Sequence, residues 1–375
     1  MESLSYIEIS KSNLLRNLKS FQSYLSPHTK IVSVVKANTY GHGEEEIVKI
    51  LSPVTDYFQV DDLLELRSLR IKTKKEILVL GYVAHHELKK AVELKAILGI
   101  YDIERLKILE SIGKKSRIKP RVHIKIDAYL GRQGVPLDEI DSFISYLKKL
   151  KYVQIEGVYS HFSNIEDTAS FSHAKKQANA YHAVLKKFNQ AGFTNLLTHI
   201  SATSGVLRYE QRKGLHSLAR IGIGLYGLWP SDELKKKYKS KITLKPVMRW
   251  ITHVAQIKTL PANYPIGYGL TYVTSRPTKV AVIPQGYADG YDRSLSNLGE
   301  VLIRGKRCKV LGRVAMNMFM VDASRVRSVK QEDEVVLLGR QKGEEITAEE
   351  IADKIGTINY EVTTRVSPLL PRVVV

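Results

Sequence analysis

The 375-residue chain reads as an α/β protein, an N-terminal (β/α)8 barrel of the TIM type followed by a C-terminal, mostly antiparallel β domain. Three observations predict this. Short apolar runs alternate with segments of helical spacing over the first 230 residues, the texture changes after Pro230, and the remainder carries apolar or alternating runs between glycine turns. A barrel with one appended domain also fits the length.

The apolar runs predict eight strands, at Ile31–Val35, Tyr57–Val60, Ile77–Leu80, Ala96–Ile100, Val122–Ile126, Ile155–Ser160, Leu197–Ser201 and Ile221–Leu225. Leu14, Leu18, Phe21 and Leu25 recur at helical spacing before the first, and Leu63, Leu66 and Leu69 after the second. Strands that alternate strictly with helices pair in parallel, because each return to the sheet needs a crossover. The barrel is expected over residues 1–235, with the polar stretch Ser231–Lys241 as a linker, and the β domain over 242–375. Within that domain, strands are expected in Val247–Ile257, Lys279–Ile283, Val301–Ile303, Cys308–Leu311, Met318–Val321 and Glu334–Leu338. Thr347-Ala348-Glu349-Glu350 is a capping box that opens a helix running through Ile355.

The formal net charge is +20, from 58 basic against 38 acidic side chains, but the lysines are dispersed and only Lys235–Lys241 is dense. No nucleic-acid-binding module accompanies them, so the charge reads as solvated surface and no specific nucleic-acid partner is expected. Cys308 is the only cysteine, which excludes a disulfide framework and a thiolate metal site; no metal is expected. Residues 1–10 hold Glu2 and Glu8 without a long apolar run, and nothing approaches the roughly 18 apolar residues of a membrane helix. A cytoplasmic protein with no membrane association is the expectation.

In a (β/α)8 barrel, chemistry collects where the strands end. Lys36 and Tyr40 follow the first strand; an amine emerging from an apolar strand is expected to be partly desolvated, hence a better nucleophile and base. Arg132 lies in the Gly131–Gly134 turn after the fifth, His161 ends the sixth, Thr203 and Ser204 follow the seventh, and Arg220, Gly222 and Ile223 belong to the eighth. Together they describe an anion-holding mouth with a nucleophilic amine. That set suits pyridoxal phosphate, which needs a lysine to carry it, a partner for its ring nitrogen and donors for its phosphate. Gly222–Gly227 formally matches G-x-G-x-x-G, but Pro230 follows where a dinucleotide-binding helix should run. His86-Glu87-Leu88-Lys89-Lys90 lacks the second histidine of a zinc protease motif.

Val35-Lys36-Ala37-Asn38-Thr39-Tyr40-Gly41-His42-Gly43 resembles the lysine motif of alanine racemases. The resemblance continues in order through Lys125-Ile126-Asp127 with Gly131-Arg132, Ser160-His161-Phe162, and Arg220–Ile223 with Tyr226-Gly227-Leu228. It extends to Ile266–Tyr272, Gly286-Tyr287-Ala288-Asp289-Gly290, Gly312–Met316 and Asn359-Tyr360-Glu361. It implies a head-to-tail homodimer in which each site combines one barrel with the partner's β domain, making D-alanine for peptidoglycan. It implies Lys36 as the Schiff-base lysine and Tyr268, from the other subunit, as the second base. Tyr40, Ser204, Gly222, Ile223 and Tyr360 would hold the phosphate, and Arg220 would face the pyridine nitrogen. Arg132 and the backbone of Met316 would meet the substrate carboxylate, a chain from Tyr268 through His161 to Arg220 would tune the tyrosine, and Lys125 matches a lysine that is often carbamylated. Tyr287 and Asn317 would support the site.

Three residues depart from the resembled pattern: Thr203, Ala315 and Asn317, the last removing a charge from the substrate entrance. Rival readings are a broad-specificity or serine racemase, a decarboxylase on the same barrel, a pyridoxal-phosphate carrier and a polyanion binder. Arg220 argues against decarboxylation, since decarboxylases on a related barrel place a carboxylate there, and Tyr268 with the whole second domain argues against a carrier.

Overall fold

The computed structural model describes residues 3–116, 118–166, 168–211 and 213–375. Met1 and Glu2, part of the segment read above for a leader, lie outside the described residues. Contacts divide the chain into two compact units, one built from Leu15–Lys36 and Val48–Leu244, the other from the residues up to Leu14, Ala37–Ile47 and Lys245–Val375. The first strand, β1 (Tyr6–Ile9), belongs to the second of these.

The barrel unit holds β2 (Lys30–Val34), β3 (Tyr57–Val60), β4 (Glu76–Val79), β5 (Ala96–Ile100), β6 (Arg121–Lys125), β7 (Gln154–Tyr159), β8 (Leu197–His199) and β9 (Leu218–Ile221). They pair in parallel in the order β8-β7-β6-β5-β4-β3-β2-β9, and the Arg220 N–H reaches Ser201 O at 3.1 Å across the remaining gap. Their continuous apolar runs follow from helices covering the sheet's outer face while side chains fill the interior. Val32, Tyr57, Leu78, Ile97, Tyr159 and Leu218 from six strands meet in one buried cluster. The helix Leu63–Arg70 is capped by Asp62, which accepts the Glu65 N–H at 2.9 Å, and it buries Leu63, Leu66 and Leu69 as the periodicity predicts.

Two expectations are corrected here. The eighth strand is Leu218–Ile221, not Ile221–Leu225; from Ile223 to Tyr226 the chain makes a buried 3-10 turn. An apolar run marks burial rather than extension, and Gly224 packs so closely that a Cβ would lie 2.6 Å from the Phe21 ring. The stretch Ser231–Lys241 is not an unstructured linker. Ser231 caps a helix over Asp232–Tyr238 by accepting the Leu234 N–H at 3.3 Å, and Leu234 and Tyr238, four residues apart, are both buried.

The second unit is built on a ten-stranded, mostly antiparallel sheet. Its strands are β1, β10 (Met248–His253), β11 (Gln256–Leu260), β14 (Thr278–Ile283), β15 (Glu300–Ile303), β16 (Lys306–Leu311), β17 (Phe319–Asp322), β18 (Glu334–Gln341), β19 (Glu344–Ile346) and β20 (Arg372–Val374), while β12 (Pro265–Ile266) and β13 (Tyr272–Val273) form a separate hairpin. The expected boundaries at 235 and 242 therefore leave out two early segments that contacts assign to this unit. The first strand pairs with β10 and, in parallel, with the last strand. The expected late helix is Ala348–Ile355, with Thr347 accepting the Glu350 N–H at 3.0 Å and Gly356 closing it in the left-handed conformation.

Candidate active site

Lys36 leaves the end of β2, and its ammonium lies 3.5 Å from Asp61 Oδ1. The side chain is 41% exposed, partly covered as expected at the end of a buried strand, and has a carboxylate beside it. Beyond it Ala37, Asn38, Thr39 and Tyr40 all take positive φ, from +50° to +55°, forming a left-handed helical turn. Each such residue costs roughly 1–2 kcal/mol relative to right-handed backbone, so the turn stands only because its polar groups are paired. Ala37 O accepts the Gly41 N–H at 3.1 Å, Asn38 O accepts that of Gly43 at 3.1 Å, and Asn38 Oδ1 accepts that of Glu44 at 2.9 Å.

Arg220, on β9 and 3% exposed, is the hub of the barrel half. It donates to Ser160 O at 2.9 Å, Ile200 O at 3.0 Å, His161 Nδ1 at 3.0 Å and His199 Nδ1. Because guanidinium only donates, both Nδ1 atoms are acceptors, and each neutral histidine carries its proton on Nε2. His199 Nε2 then donates to His123 Nδ1 at 2.8 Å, which fixes the His123 proton on Nε2 as well. Burial is the main cause that lowers the pKa of all three histidines, with the Arg220 charge adding to it, so they stay neutral. Burial likewise brings Arg220 down to about 10, still charged at neutral pH. None of the four bonds uses Nε of Arg220.

Lys125, at the end of β6, is buried and donates to Gln133 Oε1 at 3.1 Å; Gln133 in turn donates to Tyr101 OH at 3.2 Å. Burial, then the charges of Arg132 and Arg220, lower the Lys125 pKa to about 8. Arg132 sits on the exposed turn that Asp127 ties down by accepting the Leu130 and Gly131 N–H groups at 2.8 and 3.0 Å. After β8, Thr203 Oγ1 accepts the N–H groups of Gly222 and Gly224 at 3.2 and 3.4 Å, so the hydroxyl at this departing position pins the turn. Ser204 Oγ donates to Glu166 Oε2 at 2.7 Å, and the Ile223 amide opens the 3-10 turn.

The other candidates lie in the second unit. Tyr40 and Tyr360 face each other with ring centroids 6.2 Å apart. Tyr268 stands on a short 3-10 turn and is 73% exposed. Together with Tyr287, Arg293, Arg313, Met316 and Asn317 it lines a cavity of about 750 Å³. Tyr287 and Ala288 donate their N–H groups to Ala315 O and Met316 O at 3.1 and 3.0 Å, which ties two of the motifs together.

Sequence reasoning missed Asp61, His199, Gln133 and Glu166. Asp61 directly follows β3, so the strand-end rule that picked out Lys36 also points to it. His199 is the last residue of β8 and was equally within reach of that rule.

Residues 9–230 match the family described as alanine racemase, N-terminal domain, and residues 247–374 match alanine racemase, C-terminal domain. Among curated relatives, alanine racemase 2 of Caldanaerobacter subterraneus is 36% identical over 98% of this chain and 94% of its own length. The alanine racemase of Leptospira interrogans is 33% identical over 99% and 96%. Among solved structures, an alanine racemase of Clostridium difficile superposes with a TM-score of 0.93 at 32% identity, covering 100% of this chain and 96% of that one. A complex of the Clostridium difficile enzyme with cycloserine gives 0.91 at 33% identity, with the same coverage.

Proposed function

The chain belongs to the alanine racemase family and interconverts L- and D-alanine, and we propose that it does so on pyridoxal 5'-phosphate with Lys36 and Tyr268 as the two bases. The observation that carries this reading is the buried Arg220 hub one strand from Lys36, with Nε left over as a donor.

The residues present fit that cofactor. Lys36 supplies the amine that carries it. Tyr40, Ser204 and Tyr360 offer hydroxyls, and Gly222 and Ile223 backbone amides, to its phosphate. Arg220 offers its Nε–H to the ring nitrogen, and Arg132 a mobile cation to the ring oxygen and the substrate carboxylate. Pyridoxal phosphate supplies, when bound, a conjugated ring joined to the substrate amine, which makes the α-proton acidic.

What the protein adds is the placement of bases. Inversion needs a proton removed on one face and returned on the other. Lys36 would serve one face, and Tyr268 the other. A tyrosine near its ordinary pKa of about 10 is a poor base at neutral pH, so it needs positive charge close by. His161, hydrogen-bonded to Arg220, supplies a path for that charge. Arg220 keeps its own proton at neutral pH, so it would offer the ring nitrogen a hydrogen bond without transferring a proton to it. That restrains electron withdrawal to what proton exchange at Cα requires and disfavours side reactions such as transamination.

We assign Tyr268 to the site of a partner subunit in a head-to-tail homodimer. In support, Tyr268, Met316 and Met318, which line the 750 Å³ cavity, are each half-exposed or more, an apolar surface that a second barrel would cover. We further place the enzyme in the cytoplasm, where D-alanine would feed peptidoglycan; no helix among the described residues is long and apolar enough to cross a membrane. The test is a panel of single L-amino acids scored for their D forms, run with wild type and Lys36→Ala. Alanine should be the preferred substrate, and the variant should lose both visible cofactor colour and turnover. Turnover that survives in Lys36→Ala overturns the assignment of the lysine.

A further inference from the structure

The left-handed turn over residues 37–40 is held at its far end by His42, inside the lysine motif, and by Arg372, which no motif contains. Thr39 O and Tyr40 O both accept from Nδ1 of buried His42, at 3.0 Å each. Gly41 O accepts from Nη2 of Arg372, on the last strand of the chain, at 2.7 Å. The same guanidinium donates through Nη1 to Ser367 O at 2.6 Å and Leu370 O at 2.5 Å, so it joins the turn to the bend that follows the helix Asn359–Thr364. Gly41 (φ +83°) is pressed against that helix: a Cβ there would lie 1.9 Å from Thr363 O. Tyr360, on the same helix, is the residue whose ring faces Tyr40.

We infer that Arg372 is a positioning residue for the reaction: it caps the left-handed turn against the 359–364 helix and thereby sets the spacing of Tyr40 and Tyr360, which grip the cofactor phosphate. The inference rests on the reading of those two tyrosines as phosphate donors. Only a planar fork reaches carbonyls on both segments at once; an ammonium on a flexible stem is a point donor and can serve one side. A strained turn without its cap relaxes, and Tyr40, its last residue, moves first.

The test compares pyridoxal phosphate with pyridoxal, which lacks the phosphate, in spectral titrations of the full-length chain after removal of its cofactor. Arg372→Ala should weaken pyridoxal phosphate by about ten- to hundredfold while leaving pyridoxal within about twofold. Arg372→Lys, which keeps the charge and one donor, should fall between, and millimolar guanidinium should restore part of the loss in Arg372→Ala. If Arg372→Ala does not fold, the lysine variant carries the comparison alone. Undiminished affinity for pyridoxal phosphate overturns the inference. So does an equal loss for both ligands, which is the mark of general damage. A wild type that binds the two ligands equally well overturns the phosphate reading itself, a result distinct from either.

Discussion

Glu210 closes the turn that follows Ser204, and replacing it with glutamine should change how stability depends on pH. The carboxylate is 1% exposed, accepts Ser201 Oγ at 2.8 Å through Oε1, and leaves Oε2 buried without a partner. Burial raises its pKa from 4.5 to about 7, against smaller opposing effects from Ser201, Lys213 and Arg220. Below pH 4.5 both folded and unfolded states hold the proton and nothing is lost. Between 4.5 and about 7 the unfolded chain releases it while the fold retains it, so stability falls as pH rises and levels off above that range. At about 1.4 kcal/mol per pH unit across that interval, the loss approaches ~3 kcal/mol. Glu210→Gln keeps an acceptor for Ser201 and removes the titration, although its amide N–H groups enter the place where Oε2 has no partner, a fixed cost of about 1–3 kcal/mol. The difference in slope, rather than absolute stability, is therefore the readout. Urea unfolding followed by circular dichroism at pH 5 and pH 8 should show wild type losing about 2–3 kcal/mol relative to Glu210→Gln. All other titrating groups are common to the two proteins and cancel. Parallel pH profiles would refute the placement of a strained carboxylate behind Ser204.

Tyr268→Phe should slow proton removal from L-alanine more than from D-alanine, measured from the primary deuterium isotope effect and rate in each direction; equal losses under conditions where proton transfer limits the rate would sink the face assignment. His42 has the opposite pH sign to Glu210: burial lowers it from 6.5 to about 4, so its contribution is complete above pH 6.5 and is lost as pH falls toward 4. His42→Asn, whose amide can still donate toward Thr39 O and Tyr40 O, should flatten the loss of stability between pH 7 and 5.5 by about 1 kcal/mol. An unchanged slope in urea titrations would remove His42 from the acid response.

The barrel was legible because its strands are buried on both faces, and such strands print as apolar runs whatever their neighbours do. The eighth run misled because Ile223–Tyr226 is buried as a turn, and burial without period does not distinguish a strand from a turn. Ser231 carried a readable cap signal, with Asp232 and Glu233 in the first turn, but the lysines that follow obscured it. The motif around Lys36 announced a functional loop without announcing its handedness. Of Ala37, Asn38, Thr39 and Tyr40 only asparagine tolerates positive φ readily, and the conformation is held from 331 residues away by Arg372. The first strand, too, pairs with the last, a match that no local pattern contains.

The candidate residues of the two units stand in different surroundings. In the barrel half every polar group near Arg220 is fixed in advance: the guanidinium sets the tautomers of His161 and His199, and His199 sets that of His123, so charge and proton positions are settled without solvent. Such preorganisation is effective only where water is excluded. The β-domain half is the reverse, with Tyr268 73% exposed on a short turn. Arg293 and Arg313 line the same cavity. In the proposed homodimer a partner's barrel would cover Tyr268 and bring that barrel's Lys125, Arg132 and Arg220 near it. On the reading proposed above, assembly of the dimer would be part of the chemistry rather than a support for it.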